Sequence, residues 1–291
     1  MRRFVIAALA VAVLAAGTLV IARTAPVSGE QAAKEAHRAF VANLGKRDQK
    51  AIGAVLDRRF TWTDAEGRTL TRRETLKELP ALAAANAADG DVQTHFYGRM
   101  FTVRGSHQNA RFLRVFVKRR HGWKAFALVE TPTAGNGAPA SVEQAAGDCD
   151  NPCRTVPYLP KTQMEQDILT AWQKTKMLEW KPDASQWNFI ADEFQIINNT
   201  TVGNKEERVA IAKRHQDAGT GTPGDPVTSM RIYGFGPNSA LMTSQHAPYR
   251  GGKPYSNMRV WVLRDGRWQL ALSQQVTIQS AGSLSAVAST Q

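Results

Sequence analysis

Two arginines at matched positions of a repeated stretch are the residues whose type and spacing most directly suggest binding chemistry. Arg114 begins the run Arg-Val-Phe-Val-Lys-Arg, and Arg259 begins Arg-Val-Trp-Val-Leu-Arg. A tryptophan follows each run at the same distance, at Trp123 and Trp268. Because a guanidinium can bind an anion through two parallel hydrogen bonds, both arginines are candidate ligand-binding residues. The alternative is a rim arginine that pairs with a neighbouring carboxylate.

Aromatic and imidazole side chains are the next candidates. Trp62 and Trp261 are candidate ligand-binding residues that would line an aromatic pocket, although packing of a sheet on helices also uses large apolar groups, so a core role is the alternative. Four histidines have the chemistry for acid–base or metal work, but none has metal-ligand spacing to another: His95, His107, His121 and His246. We therefore expect no metal site and no cofactor, and we expect these histidines at the surface or at sheet edges.

The only two cysteines, Cys149 and Cys153, lie in a stretch rich in Ala, Gly, Pro and Asn. In an exported chain, a Cys-x-x-x-Cys pair most simply forms a local disulfide. The spacing is neither the Cys-x-x-Cys of thioredoxin-like sites nor the Cys-x-x-Cys-His of haem attachment. The pair therefore predicts a structural disulfide.

The N-terminal segment predicts export. Arg2 and Arg3 precede an uninterrupted apolar run over residues 4–22, which Arg23 ends. Such a segment is typical of a signal peptide, and the run is also long enough to span a bilayer. Residues 1–25 are thus either a cleaved signal peptide or an uncleaved anchor. In both cases we expect the remaining chain to be periplasmic or secreted.

The net charge of +12 is concentrated in the first half of the chain. Residues 30–132 contain 19 Lys and Arg against 11 Asp and Glu. A basic balance often indicates nucleic-acid binding, but export and the lack of a base-stacking aromatic motif argue against a nucleic-acid partner. An anionic membrane surface or an acidic glycan is the better electrostatic partner, and solubility alone is the simpler explanation.

The elements that must position these residues occur twice in the same order. The first copy is predicted to contain helices at 30–44, 49–56 and 71–80. A strand is predicted at 60–63, before the third helix, and a run of strands follows that helix at 92–97, 101–103, 111–118 and 123–129. The second copy is predicted to contain helices at 163–178, 185–191 and 204–216, a strand at 194–197 and further strands from 227. Thr71 with Glu74 forms the sequence pattern of a helix capping box. Helices segregated from a run of strands indicate an α+β fold.

The repeat divides the chain into domains. We assign repeat one to 28–132, a linker to 133–160, repeat two to 161–280 and a disordered tail to 281–291.

Both faces of the repeated strand are apolar, with Val260 and Val262 on one and Trp261 and Leu263 on the other. A sheet with one wet face would alternate more cleanly. We therefore expect the partner repeat to cover the second face and form an internal pseudo-dimer.

Two stretches resemble nuclear transport factor 2-like domains. Residues 259–271, Arg-Val-Trp-Val-Leu-Arg-Asp-Gly-Arg-Trp-Gln-Leu-Ala, resemble the closing hairpin of that superfamily. Residues 60–68, Phe-Thr-Trp-Thr-Asp-Ala-Glu-Gly-Arg, resemble it in the first repeat. The resemblance covers nearly all of the mature chain and implies two cones, each a curved antiparallel sheet wrapped on about three helices around a pocket. Isomerases, cyclases, dehydratases and non-catalytic binding modules share this fold, so it does not fix the function.

The resemblance to ketosteroid isomerases implies one catalytic candidate. In those enzymes an aspartate abstracts a proton while a tyrosine and a protonated carboxyl stabilise the enolate. Asp64 falls at the position of the base, and the matching residue of repeat two is Asn198, which cannot act as one. Phe40 falls where the tyrosine would be, so Phe40 and Asn198 are pocket candidates without the acid–base chemistry. Asp64 also begins an Asp-x-x-Gly turn motif, so a turn-stabilising role is the alternative.

The incomplete acid–base set favours binding over catalysis. The first hypothesis is an exported, non-catalytic protein that binds a small apolar or amphiphilic molecule, or a protein partner. The second is an enzyme of the isomerase, cyclase or dehydratase kind with Asp64 as general base. The third is an envelope scaffold whose basic first repeat binds an anionic membrane surface.

Overall fold

The computed structural model describes residues 28–80, 89–107, 109–133, 148–199, 201–247 and 253–279. The predicted signal peptide or anchor at 1–25 and the predicted tail at 281–291 lie outside these residues. Within the described ranges, no helix combines the length and apolar character needed to cross a membrane.

The described part of the first domain begins with three helices and two strands and continues with four long strands. The helices are α1 (Gly29–Lys46), α2 (Gln49–Val55) and α3 (Arg72–Lys77). The strands are β1 (Leu56–Thr63), β2 (Thr69–Thr71), β3 (Gly90–Tyr97), β4 (Met100–His107), β5 (Ala110–Arg119) and β6 (Gly122–Pro132).

The second domain repeats this order. Its helices are α4 (Gln163–Trp180) and α5 (Lys205–Asp217), with a 3-10 turn at Ala184–Gln186. Its strands are β7 (Ile190–Ile197), β8 (Val202–Asn204), β9 (Val227–Gly234), β10 (Ser239–His246), β11 (Tyr255–Arg264) and β12 (Arg267–Thr277).

Each domain has one six-stranded sheet, and the two sheets have the same topology. The strand orders are β2-β1-β6-β5-β4-β3 and β8-β7-β12-β11-β10-β9. The predicted α+β fold and the predicted duplication are therefore confirmed. The sheets are mixed rather than antiparallel throughout, because β1 runs parallel to β6 and β7 runs parallel to β12. A parallel pair needs a long crossover, which the intervening helix and strands of each domain provide.

Local sequence signals explain where two of the helices begin. The Thr71 hydroxyl accepts a hydrogen bond from the backbone N–H of Glu74, whose carboxylate accepts from the backbone of Thr71, as the capping-box pattern predicts. Asn204 and Glu207 form the same reciprocal pair at the start of α5.

The helix predicted at 185–191 is wrong. Residues 184–186 form a 3-10 turn, and β7 begins at Ile190. Trp187 and Phe189 pack against each other at 5.1 Å between ring centroids and are buried. Burial of these two rings in the second domain's core therefore overrides the helix-like spacing of the apolar residues.

Three apolar cores hold the molecule together. One lies between the sheet and helices of the first domain, and a second lies between the sheet and helices of the second domain. The third joins the two domains through one face of each sheet and includes Leu113, Val115, Phe126, Val129, Leu241, Val260, Val262 and Leu272. This face-to-face packing is the arrangement that the doubly apolar repeated strand predicts.

Residues at the end of the predicted linker pack onto the second domain. Val156 and Tyr158 contact its core. The Asn151 side chain donates to the carbonyl of Val227 at 3.0 Å and accepts from its N–H at 2.9 Å, so it pairs with the start of β9. The described part of the linker is thus attached to the second domain.

Candidate functional site

Arg114 forms an ion pair with a carboxylate of its own domain. It is 1% exposed, and its Nη1 and Nη2 donate to the two oxygens of Asp89 at 2.5 and 2.8 Å. Its Nη1 also lies 2.9 Å from His37 Nε2. Although burial raises the pKa of Asp89, hydrogen bonds from His37 and Arg114 hold it well below its usual value. The predicted alternative for Arg114, pairing with a neighbouring carboxylate, is what the structure shows.

Arg259 occupies the matching position in β11 without an ion pair to a carboxylate of the described residues. It is 4% exposed, its Nη1 donates to Ser244 Oγ at 2.8 Å, and its guanidinium lies 5.5 Å from the ring centroid of Trp172. Among the described residues, no carboxylate lies within 4.0 Å of it. Glu143 is the only acidic residue of the sequence outside the described ranges. Burial lowers the pKa of Arg259 to about 10, so the buried cation is incompletely compensated.

A directional chain of hydrogen bonds holds the Arg259 side chain. Ser244 Oγ lies 2.9 Å from His246 Nε2, and His246 Nδ1 lies 3.0 Å from the backbone oxygen of Asp225. Because a carbonyl only accepts, we assign the proton to Nδ1, and Nε2 then accepts from the Ser244 hydroxyl. Burial, reinforced by Arg259, lowers the pKa of His246 well below its usual value, in agreement with a neutral ring.

A cavity of about 340 Å³ lies beside these hydrogen-bonded residues in the second domain. Arg259 donates to Ser244, and Ser244 pairs in the sheet with Asn257, two residues before Arg259. The Arg259 side chain therefore extends along β11 toward Tyr255. Tyr255 stacks on His246, with 4.4 Å between ring centroids, and lines the cavity. The other walls come from both helices and the loops beside them and include Lys176, Leu178, Glu179, Trp187, Arg208 and Ile211. Arg259 itself lies behind this wall.

The charged side chains that line the cavity include two basic residues, Lys176 and Arg208, and two acidic ones, Glu179 and Asp225. Glu179 accepts hydrogen bonds from Lys176 Nζ at 2.7 Å and from Arg208. Burial raises the pKa of Glu179, but Lys176 and Arg208 outweigh that effect and lower it to about 2. Burial lowers the pKa of Lys176, and nearby Arg259 lowers it further. The cavity wall and the Arg259 behind it therefore contribute three basic side chains, those of Lys176, Arg208 and Arg259, and two carboxylates, those of Glu179 and Asp225.

The predicted aromatic site residues lie in the cores. Phe40 packs edge-on against Phe116 at 5.8 Å between centroids. Trp62 is 3% exposed in the first core, and Trp261 is fully buried in the second. The indole N–H groups of Trp62 and Trp261 have no hydrogen-bond partner among the described residues. A ligand-binding role for these three residues stays a prediction.

Asp64 is buried and engaged by its own turn. Its carboxylate accepts from the backbone N–H of Glu66 at 3.1 Å, from that of Arg68 at 2.8 Å and from Arg68 Nε at 2.7 Å. Burial raises the pKa of Asp64 above its usual value, and the contacts with Arg68 offset this effect only in part. Asn198 forms the matching turn in the second domain, with its Oδ1 accepting from the N–H of Thr201 at 2.7 Å. The role of Asp64 as a general base stays a prediction.

Two of the histidines are buried rather than at the surface, contrary to expectation. His246 is fully buried and His107 is 4% exposed. His107 Nε2 lies 3.1 Å from a carboxylate oxygen of buried Glu130. Both histidines end matching strands, β4 and β10, whose inner faces are covered by helices. The spacing of Ser244 and His246 could have indicated that these two side chains lie together, because alternate residues of a strand share one face.

The predicted disulfide between Cys149 and Cys153 is present. It closes the loop that carries Asn151 to β9, and Pro152 of this loop packs near Gly224 at the cavity wall. In the described part of the chain, no group of three or more His, Cys, Asp or Glu side chains could hold a metal ion.

No protein-family model and no curated protein matches this sequence. Several solved structures are similar to part of the chain. One is an NTF2-like protein from Cytophaga hutchinsonii, at 16% identity over 34% of this chain and 93% of that one, with a TM-score of 0.28. Another is an NTF2-like protein with a cystatin-like fold from Novosphingobium aromaticivorans, at 14% identity over 39% and 86%, with a TM-score of 0.32. These similarities carry no argument about the activity of this chain.

Proposed function

We propose that this protein binds a small amphiphilic molecule in the cavity of its second domain. The observation that carries the proposal is the composition of the cavity wall, where Leu178, Trp187 and Ile211 stand beside Lys176 and Arg208. Ligand pockets commonly combine an apolar lining with a few convergent polar groups. The volume of about 340 Å³ lies at the lower end of the range for small-molecule sites.

Binding is favoured over the enzyme hypothesis by the surroundings of Asp64. A general base needs a lone pair directed at its substrate, whereas three hydrogen bonds from Glu66 and Arg68 already engage this carboxylate. Asp64 also lies in the first domain, outside the walls of the cavity. The contacts of Asp64 therefore support a turn-stabilising role.

We also propose that the chain is exported. The apolar segment after Arg2 and Arg3 supports this proposal, as does the disulfide, since disulfides persist mainly in oxidising compartments. Fractionation of host cells, with N-terminal sequencing of the mature protein, tests export. Recovery of the unprocessed chain in the cytoplasm would refute it.

The binding proposal is tested by native mass spectrometry with octanoate and octanol as probes, using a cavity-filling variant and a matched control. Ala212 is buried at the cavity wall, and Ala210 is exposed on the same helix. We expect a 1:1 adduct with at least one probe in the wild type and in Ala210→Phe, and its loss in Ala212→Phe. If Ala212→Phe does not fold, Ile211→Trp fills the same cavity from its rim. Equal binding by all variants, or binding of neither probe, would refute the proposal.

A further inference from the structure

We propose that the ligand of the second domain carries a carboxylate, which binds Arg259 as Asp89 binds Arg114 in the first domain. The inference rests on the proposed function, because it names the ligand class of the same cavity. It goes beyond that function by identifying the group that recognises the ligand and the functional group that is recognised.

The two domains provide an internal comparison. Arg114 pairs with Val103 in the sheet and Arg259 pairs with Met242, so both occupy the same place on the fifth strand. The Arg114 guanidinium lies 3.9 Å from the ring centroid of Phe112, and that of Arg259 lies 5.5 Å from Trp172. The two arginines share burial, strand position and an aromatic neighbour. They differ in the carboxylate, which among the described residues only the first domain supplies.

Most of the hydrogen-bonding capacity of Arg259 is unused within the described residues. A guanidinium has about five N–H donors, and Arg259 donates to Ser244. A buried cation without a partner is unfavourable, whereas a carboxylate placed against its planar edge accepts two parallel hydrogen bonds. Arg114 and Asp89 show this two-oxygen geometry in the first domain. A ligand carboxylate supplies the same compensation to Arg259.

The nearest acidic side chains of the second domain have other partners. Asp225 precedes β9 as Asp89 precedes β3, but its carboxylate interacts with the hydroxyl of Tyr255. Glu179 is held by Lys176 and Arg208. Neither of these two carboxylates therefore forms an ion pair with Arg259, and in the proposal the ligand supplies that carboxylate.

The rest of the cavity fits the body of such a ligand. Lys176 and Arg208 add positive charge near the carboxylate, and Leu178, Trp187 and Ile211 provide apolar surface for a hydrocarbon chain or ring. A monocarboxylic acid with a short apolar body matches both parts. An amine of the same length would bring a fourth positive charge to the cluster.

The test compares octanoate with octanol and octylamine, which have the same apolar chain and different head groups, by isothermal titration calorimetry at neutral pH. We expect octanoate to bind at least about tenfold more tightly than octanol, because charge-assisted hydrogen bonds are stronger than neutral ones. Octylamine should bind more weakly than octanol. Equal binding of octanol and octanoate would overturn the carboxylate assignment while the cavity proposal stands, and binding of no probe would refute both.

Two variants and a control identify the arginine. Arg259→Met should lower octanoate affinity at least about tenfold and octanol affinity less than about threefold. Arg259→Lys, which keeps the charge and loses the planar fork, should give an intermediate loss. Arg267→Met removes an exposed charge from the start of the adjacent strand β12 and should leave octanoate binding unchanged. An unchanged octanoate affinity in Arg259→Met would overturn the assignment.

A measurement on the wild-type protein tests the contact with Arg259 even if the variants do not fold. The carbon-13 signal of carboxyl-labelled octanoate reports its ionisation in the bound state. We expect bound octanoate to stay ionised to a lower pH than free octanoate, because the guanidinium favours the charged form. Protonation of bound octanoate at the same or a higher pH would contradict contact with Arg259.

Discussion

Arg114 and Arg259 occupy matched positions on the fifth strands of two copies of one sheet, but only Arg114 is neutralised by a carboxylate among the described residues. In the first domain Asp89 completes a closed ion pair. In the second domain the equivalent cation lies behind the wall of a cavity. One fold therefore holds the same arginine in a structural role and in a proposed binding role.

The same substitution should affect stability much more at Arg114 than at Arg259. Arg114→Met leaves the partly buried Asp89 carboxylate with His37 as its remaining partner, and we expect it to lower the free energy of unfolding by about 3–5 kcal/mol. Arg259→Met removes an incompletely compensated charge, and we expect a change below about 1 kcal/mol or a gain in stability. Urea denaturation of the ligand-free protein measures both, and equal losses would contradict the contrast.

Stability should fall as the pH falls below 6.5, the ordinary pKa of histidine. The pKa of buried His246 is lower in the folded state than in the unfolded chain, so the unfolded chain binds the proton first and acid favours unfolding. One such group changes stability by at most about 1.4 kcal/mol per pH unit. Thermal denaturation between pH 7.5 and 5 should show a shallower slope for His246→Gln than for the wild type. An identical slope would show that His246 does not contribute.

The disulfide should stabilise the edge of the cavity. We expect Cys149→Ser/Cys153→Ser to lower the free energy of unfolding by about 2 kcal/mol, as loop closure over this short separation predicts. The same variant should weaken octanoate binding, because the loop docks on β9 through Asn151 and approaches Gly224 at the cavity wall. Reduction of the wild type with dithiothreitol should reproduce both changes. Full retention of octanoate binding would mean that the loop does not support the cavity.

Substitution of Asp64 separates its structural role from a catalytic one. Asp64→Ala removes three hydrogen bonds from its turn, and we expect a loss of about 1–3 kcal/mol in the free energy of unfolding. Octanoate affinity should change less than about twofold, since the site lies in the other domain. Full stability together with loss of an isomerase- or dehydratase-type reaction would instead support the enzyme hypothesis.

The sequence was sufficient to predict the features that depend on short-range patterns. The capping box of Thr71 and Glu74 is a local hydrogen-bonding motif and forms as predicted. The apolar residues on both sides of β11, such as Val260 and Trp261, indicated that both faces of the sheet are covered. The repeated order of elements predicted two similar domains.

The cavity could not be predicted, because it depends on distant parts of the chain. Lys176 and Glu179 are three residues apart on α4, a spacing that is also common on solvent-exposed helix faces. Their burial depends on Arg208 from α5 and on the start of β11. The sequence identified Arg259 as an anion-binding candidate but could not distinguish it from Arg114, since Asp89 lies 25 residues away from Arg114.

The sheet-to-sheet core makes one chain equivalent to a dimer that cannot dissociate. In a homodimer with this interface, dilution would expose Leu113 and Val260 to water and would lower the population of the folded form. Here the two halves are covalently joined, so their local concentration does not depend on how much protein is present. The unfolding midpoint should therefore be independent of protein concentration, and the second domain keeps its supporting sheet even at the lowest expression level.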